Sequence, residues 1–135
     1  MVVLDTCAAL EIAQNTEEGI ALSKLIYDGE EVIVPSHFYA EFMNALYKYV
    51  RGGMFSLETA MRYYRFIASV ITDSIDTRSM ADEILSEAVR LRQTAYDTAY
   101  FVLARRNYAT LITFDKRLAK LCEENGVSCV HCCEM

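Results

Sequence analysis

The chain has 135 residues, 53% of them hydrophobic, and a formal net charge of −6. This length supports one compact core rather than two, so we predict a single domain over residues 1–135. No run approaches the roughly 18 consecutive apolar residues that span a bilayer, and the first residues lack the features of a signal peptide. We therefore expect a cytoplasmic protein that does not contact a membrane.

The acidic balance excludes a protein that coats nucleic acid by charge alone. It does not exclude a nucleic-acid enzyme, because a bound divalent metal offsets the charge of an acidic pocket. The basic side chains of Lys116, Arg117 and Lys120 are available for contacts with phosphates.

The chain has five cysteines, four of them near its C-terminus. This odd, clustered set does not indicate a secreted disulfide framework, so reduced thiols are expected, with Cys7 as a small buried thiol. A zinc site can be drawn from His131 with Cys122, Cys129, Cys132 and Cys133. Its ligands would be crowded into one short tail, and the alternative is a last strand with small buried thiols.

The first half of the chain predicts two strands and four helices. Val2 to Leu4 form an apolar run that ends at Asp5, and the β-branched run from Val32 closes at Pro35. Helices are expected over residues 8–13, over 16–27 with Asn15 or Thr16 as cap, from a cap at Ser36 to about 50, and over 56–71.

Two helices of this half have informative faces. The third is expected to turn Phe38, Phe42, Ala45 and Tyr49 to the core, with Glu41, Asn44 and Lys48 on another face. The fourth has two apolar stripes, Leu57, Met61, Tyr64 and Ala68 on one side and Ala60, Tyr63 and Ile67 on the other. It either binds a partner or lies centrally in the domain.

The second half predicts a short strand near Ile75 and then a helix that ends near Arg92. A capping box at Ser79 should begin this helix, and its core face should consist of Ile84, Leu85, Ala88 and Leu91. A helix over residues 94–107 is apolar nearly all round and should be buried. A strand over 109–113, a helix from Asp115 to Asn125 and a strand over 127–131 complete the chain. Short apolar strands alternating with helices predict an α/β protein of three α/β/α layers around a mostly parallel sheet.

Four carboxylates map to one edge of this predicted sheet. Asp5 and Asp115 follow strands directly, whereas Glu41 and Asp97 lie near the starts of helices. Ligands of parallel α/β folds collect at this edge. Asp97 and Asp115 can also be explained as helix-terminal residues and Glu41 as a solvated side chain, whereas Asp5 ends an apolar strand where no cap is obviously needed.

An all-oxygen cluster favours Mg²⁺ or Mn²⁺ and the hydrolysis of phosphodiesters. The chain has no Gly-x-x-x-x-Gly-Lys loop and no Gly-x-Ser-x-Gly elbow. Its two histidines argue against a histidine-pair ribonuclease. Receiver and phosphatase sites share an acidic edge, but Asp5-Thr6-Cys7 lacks the second aspartate of a phosphatase.

Four segments of the chain resemble the signature segments of the PIN-domain family, particularly the VapC-type toxin ribonucleases. They are Val3-Leu4-Asp5-Thr6, Pro35-Ser36 with Ala40-Glu41-Phe42-Met43-Asn44, Tyr96-Asp97-Thr98-Ala99-Tyr100, and Leu111-Ile112-Thr113-Phe114-Asp115-Lys116-Arg117-Leu118. The resemblance implies a three-layer α/β/α fold, a Mg²⁺- or Mn²⁺-dependent endoribonuclease that acts on RNA, a homodimer and a neutralising antitoxin.

Carried over to this chain, the resemblance implies that Asp5 and Asp97 are the main metal ligands. Asp115 would complete the acidic site, and Glu41 would hold a second ion or activate water. Thr6, Asn44 and Thr113 would support the cluster by hydrogen bonding, and the cysteine-rich tail is unlike the usual family ending. The alternative is a non-catalytic PIN-like module that binds protein or RNA.

Overall fold

A five-stranded parallel sheet with helices on both faces organises the chain. The computed structural model describes residues 1–26 and 29–131. The strands are β1 (Val2–Leu4), β2 (Val32–Pro35), β3 (Asp73–Ile75), β4 (Thr110–Thr113) and β5 (Cys129–His131), in the order β3-β2-β1-β4-β5. The predicted three-layer α/β/α fold is confirmed, and so is the short strand near Ile75.

Seven α-helices lie within the described ranges. They are α1 (Thr6–Gln14), α2 (Glu17–Ile26), α3 (Phe38–Arg51), α4 (Leu57–Val70), α5 (Ala81–Leu91), α6 (Ala95–Arg106) and α7 (Lys116–Glu124), with a 3₁₀ turn at Thr77–Met80. The predicted end of the second helix at Tyr27 and Asp28 lies outside the described residues. None of the described helices has the length and apolarity needed to cross a bilayer.

The central position of β1 brings distant segments together. Its Val2 pairs with Val32 on one side and with Thr110 on the other, in parallel register. All three residues of β1 are buried, as expected for a strand covered on both faces. Helix α6 packs against β1, β2 and β4, and every residue from Thr98 to Ala104 is buried. The prediction that this helix is buried is therefore confirmed.

Two predicted helix caps are wrong. Helix α3 begins after His37, which makes no side-chain cap, and the Ser36 hydroxyl instead accepts a hydrogen bond from the Thr77 amide at 3.1 Å. Helix α5 begins after Met80, because the residues around Ser79 form the 3₁₀ turn, which Asp76 caps. In both places a contact between separate segments replaces the local cap that the sequence suggests.

The buried faces of three helices differ from the prediction. On α3 the buried positions are Phe38, Phe42 and Leu46, rather than Ala45 and Tyr49. On α5, Leu85 is 65% exposed instead of inward. On α4 the buried residues belong to the second stripe, whereas the first leaves Leu57 61% exposed. Apolar side chains of α3 and α4, several of them exposed, therefore form a surface groove, lined by Met43, Leu46, Tyr47, Val50, Leu57, Met61 and Tyr64.

Helices α1 and α2 pack closely because Gly19 has no side chain. Thr16 caps α2, as predicted, by accepting a hydrogen bond from the Gly19 amide at 3.0 Å. A Cβ atom added at Gly19 would overlap the backbone carbonyl of Glu11 and would lie 2.9 Å from the amide nitrogen of Ile12. Backbone atoms cannot move aside as a flexible side chain can.

We predict that Gly19→Ala lowers the free energy of unfolding by about 1–3 kcal/mol through this overlap. Helix propensity alone would raise it by roughly 1 kcal/mol. Urea unfolding shows whether the free energy of unfolding falls or rises in the variant. Gly52→Ala is the control, because its added Cβ would come no closer than 3.3 Å to the backbone oxygen of Lys48. A Gly19→Ala protein more stable than wild type would contradict the close approach.

Candidate active site

Asp5 is buried where the central strand ends. Its side chain is 7% exposed, and its carboxylate caps α1 by accepting a hydrogen bond from the Ala8 amide at 2.8 Å. The expectation that no cap is needed at this position is therefore wrong. Asp5 has a structural role of its own, because it begins the helix that follows the strand directly.

Thr113 connects Asp5 with Asp115. Since β1 and β4 are neighbours with Leu4 opposite Ile112, the residues that follow them meet at one edge. The Thr113 hydroxyl donates a hydrogen bond to Asp5 Oδ2 and accepts one from the Asp115 amide at 2.9 Å. The structure thus places Thr113 in the supporting contact that the family resemblance implies.

Asp97 and Asp115 both lie at helix starts. The Asp115 carboxylate caps α7 and accepts hydrogen bonds from the amides of Arg117 at 2.8 Å and Leu118 at 3.3 Å. Asp97 lies in the first turn of α6, where its amide donates to the Thr94 hydroxyl at 3.2 Å. Thr94 and Asp115 are therefore the N-caps of α6 and α7.

The pKa values of the acids show that their charges act on one another. Burial raises the pKa of Asp5 to about 6, although the hydrogen bonds from Thr113 and Ala8 lower it, and the charge of Asp115 raises it further. Burial also raises the pKa of Asp97, and the charges of Asp115 and Glu41 add to that rise. The structure therefore brings the four acids into one region of negative potential.

Glu41 is held by two aromatic side chains whose role the sequence reading missed. The Tyr100 hydroxyl donates a hydrogen bond to Glu41 Oε1 at 3.0 Å. His37 Nε2 lies 2.9 Å from the same oxygen, but its direction does not satisfy hydrogen-bond geometry. Burial and the Glu41 charge raise the pKa of Tyr100, so its hydroxyl stays protonated and donates. The spacing of Tyr100 from Asp97 and of Glu41 from His37, three and four residues along a helix, was the available signal.

The donor chemistry of the four acids fits a hard divalent cation. All the donors are carboxylate oxygens, and the raised pKa values of Asp5 and Asp97 mark negative charge that a cation would offset. In the part of the chain that the structure describes, however, no three acidic, histidine or cysteine side chains already converge as a metal-binding group. Each acid takes part instead in hydrogen bonds within the protein.

A cleft of about 470 Å³ opens beside Glu41, lined by Thr6, Cys7, Glu41, Asn44, Lys48 and Phe114 among others. Cys7 is exposed there, so the prediction of a buried thiol is wrong. Burial of part of its thiol and the charge of Asp5 raise the pKa of Cys7. A thiol with a raised pKa is a poor nucleophile at neutral pH, so Cys7 is not an activated cysteine.

The C-terminal cysteines do not form a zinc site within the described residues. Cys122 is buried and its thiol is hydrogen-bonded with that of Cys129. His131 Nε2 donates to the Phe114 carbonyl at 3.1 Å. The remaining ligands of the drawn site, Cys132 and Cys133, lie outside the described residues. The last strand, Cys129–His131, is shorter than the predicted 127–131.

A parallel three-layer α/β/α domain with acids at the carboxyl edge of its sheet is compatible with a nuclease, but receivers and phosphatases also have an acidic edge. The profile of the PIN domain family matches residues 2–124. This chain belongs to the PIN domain family, whose members are commonly nucleases and generally use divalent metal ions.

The fold is also similar to a solved structure. The crystal structure of PAE2754 from Pyrobaculum aerophilum superposes with a TM-score of 0.71 at 25% sequence identity. The match covers 88% of this chain and 84% of that one. The comparison with curated proteins gave no match.

The buried Asp5 carboxyl predicts a pH dependence of stability in metal-free protein. Its pKa rises from 3.8 to about 6 on folding, so between these values the folded state binds more protons and stability falls as pH rises. Asp5→Asn removes this penalty. We expect the wild type to lose stability relative to Asp5→Asn as the pH rises from 4 to 7 in EDTA. The change in the difference between their unfolding free energies should be up to about 3 kcal/mol.

Urea unfolding at several pH values measures this shift. Asp82→Asn is the control, because it removes an exposed carboxyl at a helix start and so makes the same change of charge without burial. A difference between Asp5→Asn and wild type that stays constant over this pH range would show that burial does not penalise the charged form of Asp5.

Proposed function

We propose that this chain is a single-domain endoribonuclease that hydrolyses RNA phosphodiester bonds with Mg²⁺ or Mn²⁺. The observation that carries the proposal is the group of carboxylates at the carboxyl edge of the sheet, where burial raises the pKa of Asp97 and the charges of Asp115 and Glu41 raise it further. A protein retains such an unfavourable charge cluster where a cation binds. The PIN domain fold supports the same reading.

We assign metal binding to Asp5, Asp97 and Asp115, and to Glu41 either a second ion or the activation of water. The bound ion would polarise the phosphate and lower the pKa of a water molecule. Thr113 would hold Asp5 in place through its hydroxyl. Tyr100 would orient Glu41, since its hydroxyl donates to one carboxylate oxygen and leaves the other for a ligand.

RNA phosphates would contact the basic start of α7. The charge of Arg117 lowers the pKa of Asp97, which indicates that this guanidinium lies close to the acids. Lys116 and Lys120 are exposed on the same helix. These cations would attract the RNA backbone in spite of the acidic net charge of the chain.

We further propose that the protein is the toxin of a toxin–antitoxin pair and forms a homodimer in the cytoplasm. The groove between α3 and α4 supports a partner, because its lining includes four large side chains that are 46–61% exposed, namely Met43, Tyr47, Leu57 and Met61. Cys7 and Cys122 form no disulfide within the described residues, which fits a reducing compartment.

A second candidate is a non-catalytic PIN-like module that binds protein or RNA. It is favoured by one observation, that the described acids do not already converge as a group of three ligands. The hydrogen bonds of Asp5 and Asp115 to helix amides would then be purely structural.

The first test is cleavage of a labelled single-stranded RNA. We expect cleavage with Mg²⁺ or Mn²⁺ and none with EDTA. Asp5→Asn and Asp97→Asn should each lower the rate by more than about 100-fold, since losing a residue that merely supports a metal ligand already costs 10–100-fold. Gel electrophoresis of the products measures the rate, and circular dichroism checks the fold.

Asp73→Asn is the matched control, because this exposed aspartate lies at the start of the edge strand β3, away from the four acids. It should cleave RNA like the wild type. Full activity in Asp5→Asn or Asp97→Asn would exclude the metal-dependent site. A folded wild type that cleaves no RNA with either ion would favour the non-catalytic module.

The second test concerns the groove between α3 and α4. If two copies pair through it, Met61→Glu should convert the dimer to a monomer, because it buries a charge against apolar side chains. Light scattering after size-exclusion chromatography measures the mass. Val89→Glu, at a 73% exposed apolar position on α5, should leave the dimer intact. A strictly monomeric wild type would refute the homodimer.

A further inference from the structure

A second pocket is lined in part by His37, the side chain that lies beside Glu41. Its volume is about 370 Å³, and the 3₁₀ turn, α5 and the start of α6 form its walls. Tyr96 and Leu85 line this pocket and are 64% and 65% exposed. Ile84 and Ala99 are buried beneath it.

Aromatic rings connect this pocket with the acids. The His37 ring centroid lies 5.6 Å from that of Tyr96 and 5.3 Å from that of Tyr100. His37 Nε2 is also 2.9 Å from Glu41 Oε1, and Tyr96 directly precedes Asp97. The pocket therefore begins one side chain away from the acidic site.

The pocket suits a neutral planar ring better than an anion. Its one cationic side chain, Arg78, is paired with Asp76, with guanidinium to carboxylate distances of 2.7 and 2.9 Å. The lining is otherwise mainly apolar and aromatic, with the Thr77 hydroxyl as a polar group. An aromatic face together with a hydroxyl group can stack on a base and bind its edge.

We propose that this pocket binds an unpaired nucleobase of the RNA substrate, next to the phosphate that is cleaved, with the base stacked on Tyr96. The inference rests on the proposed endoribonuclease function and names its substrate as single-stranded RNA. A paired base is unavailable, because it stays stacked within its duplex. An apolar side chain of a partner protein would also fit the pocket, but its proximity to Glu41 and Asp97 favours the RNA chain.

The experiment measures binding of a short fluorescent RNA, with Asp5→Asn as the parent protein so that the RNA stays intact, and with wild type in EDTA as a second background. Tyr96→Ala should weaken binding by roughly 10-fold or more, as expected for one stacked base. Tyr96→Phe keeps the ring and should bind like the parent. Tyr108→Ala removes a 97% exposed tyrosine that follows the opposite end of α6 from Tyr96, and it should have no effect.

A series of RNAs with one abasic position each tests whether Tyr96 contacts a base. One abasic position should weaken binding to the parent by a similar factor and should have no further effect in Tyr96→Ala. A merely structural role of Tyr96 would not produce this dependence between protein and RNA changes. The proposal is overturned if Tyr96→Ala binds like the parent, if no abasic position matters, or if the RNA does not bind.

These outcomes are separate from those of the cleavage test. If the protein cleaves RNA and Tyr96→Ala does not change RNA binding, the endoribonuclease function is supported and the base-binding pocket is excluded. Base-dependent binding through Tyr96 without metal-dependent cleavage would support the pocket and exclude the catalytic function. If Tyr96→Ala no longer binds a protein partner but binds RNA as before, the pocket belongs to that partner. This result would overturn the proposal that the pocket binds a base.

Discussion

The burial of the Asp5 carboxylate at the end of the central strand is the constraint on which the other features depend. A buried charge is costly unless hydrogen bonds surround it. Here the Ala8 amide and the Thr113 hydroxyl supply them. The first contact begins α1, and the second joins β1 to β4 and positions the Asp115 backbone. The same atoms therefore determine where a helix starts, how two strands end and how two acids face one another.

The acidic site illustrates a conflict between stability and function. Burial and the neighbouring acids raise the pKa of Asp97, which destabilises the metal-free fold, although Thr94 and Arg117 offset part of the effect. Proteins tolerate such costs where the charge is needed. Hydrogen bonds and ion pairs hold the groups around the acids in place despite this cost. Tyr100 holds Glu41 from a helix that is buried from Thr98 to Ala104. A network of Arg105 with Glu83 and Glu87 connects that helix to α5.

The sequence was informative where one local property decides the outcome. Fully apolar strands indicated a parallel sheet, and the nearly all-apolar stretch of α6 indicated burial. It was misleading where tertiary contacts compete with local ones. Ser36 is engaged by Thr77 rather than by its own helix, and Leu85 has a helical apolar spacing yet faces the pocket opening. The contact of Tyr100 with Glu41 joins residues far apart in sequence, so helical spacing could mark each side chain as a candidate but could not show that the two meet.

The strand order has a consequence for synthesis of the protein. The central strand β1 pairs with β2 and β4, and β4 lies more than a hundred residues further along the chain. A nascent chain that has left the ribosome only as far as α6 lacks both Thr113 and Asp115. Its Asp5 has no hydroxyl partner and its sheet has an open edge beside β1. The acidic site is therefore assembled late, after most of the chain has been translated.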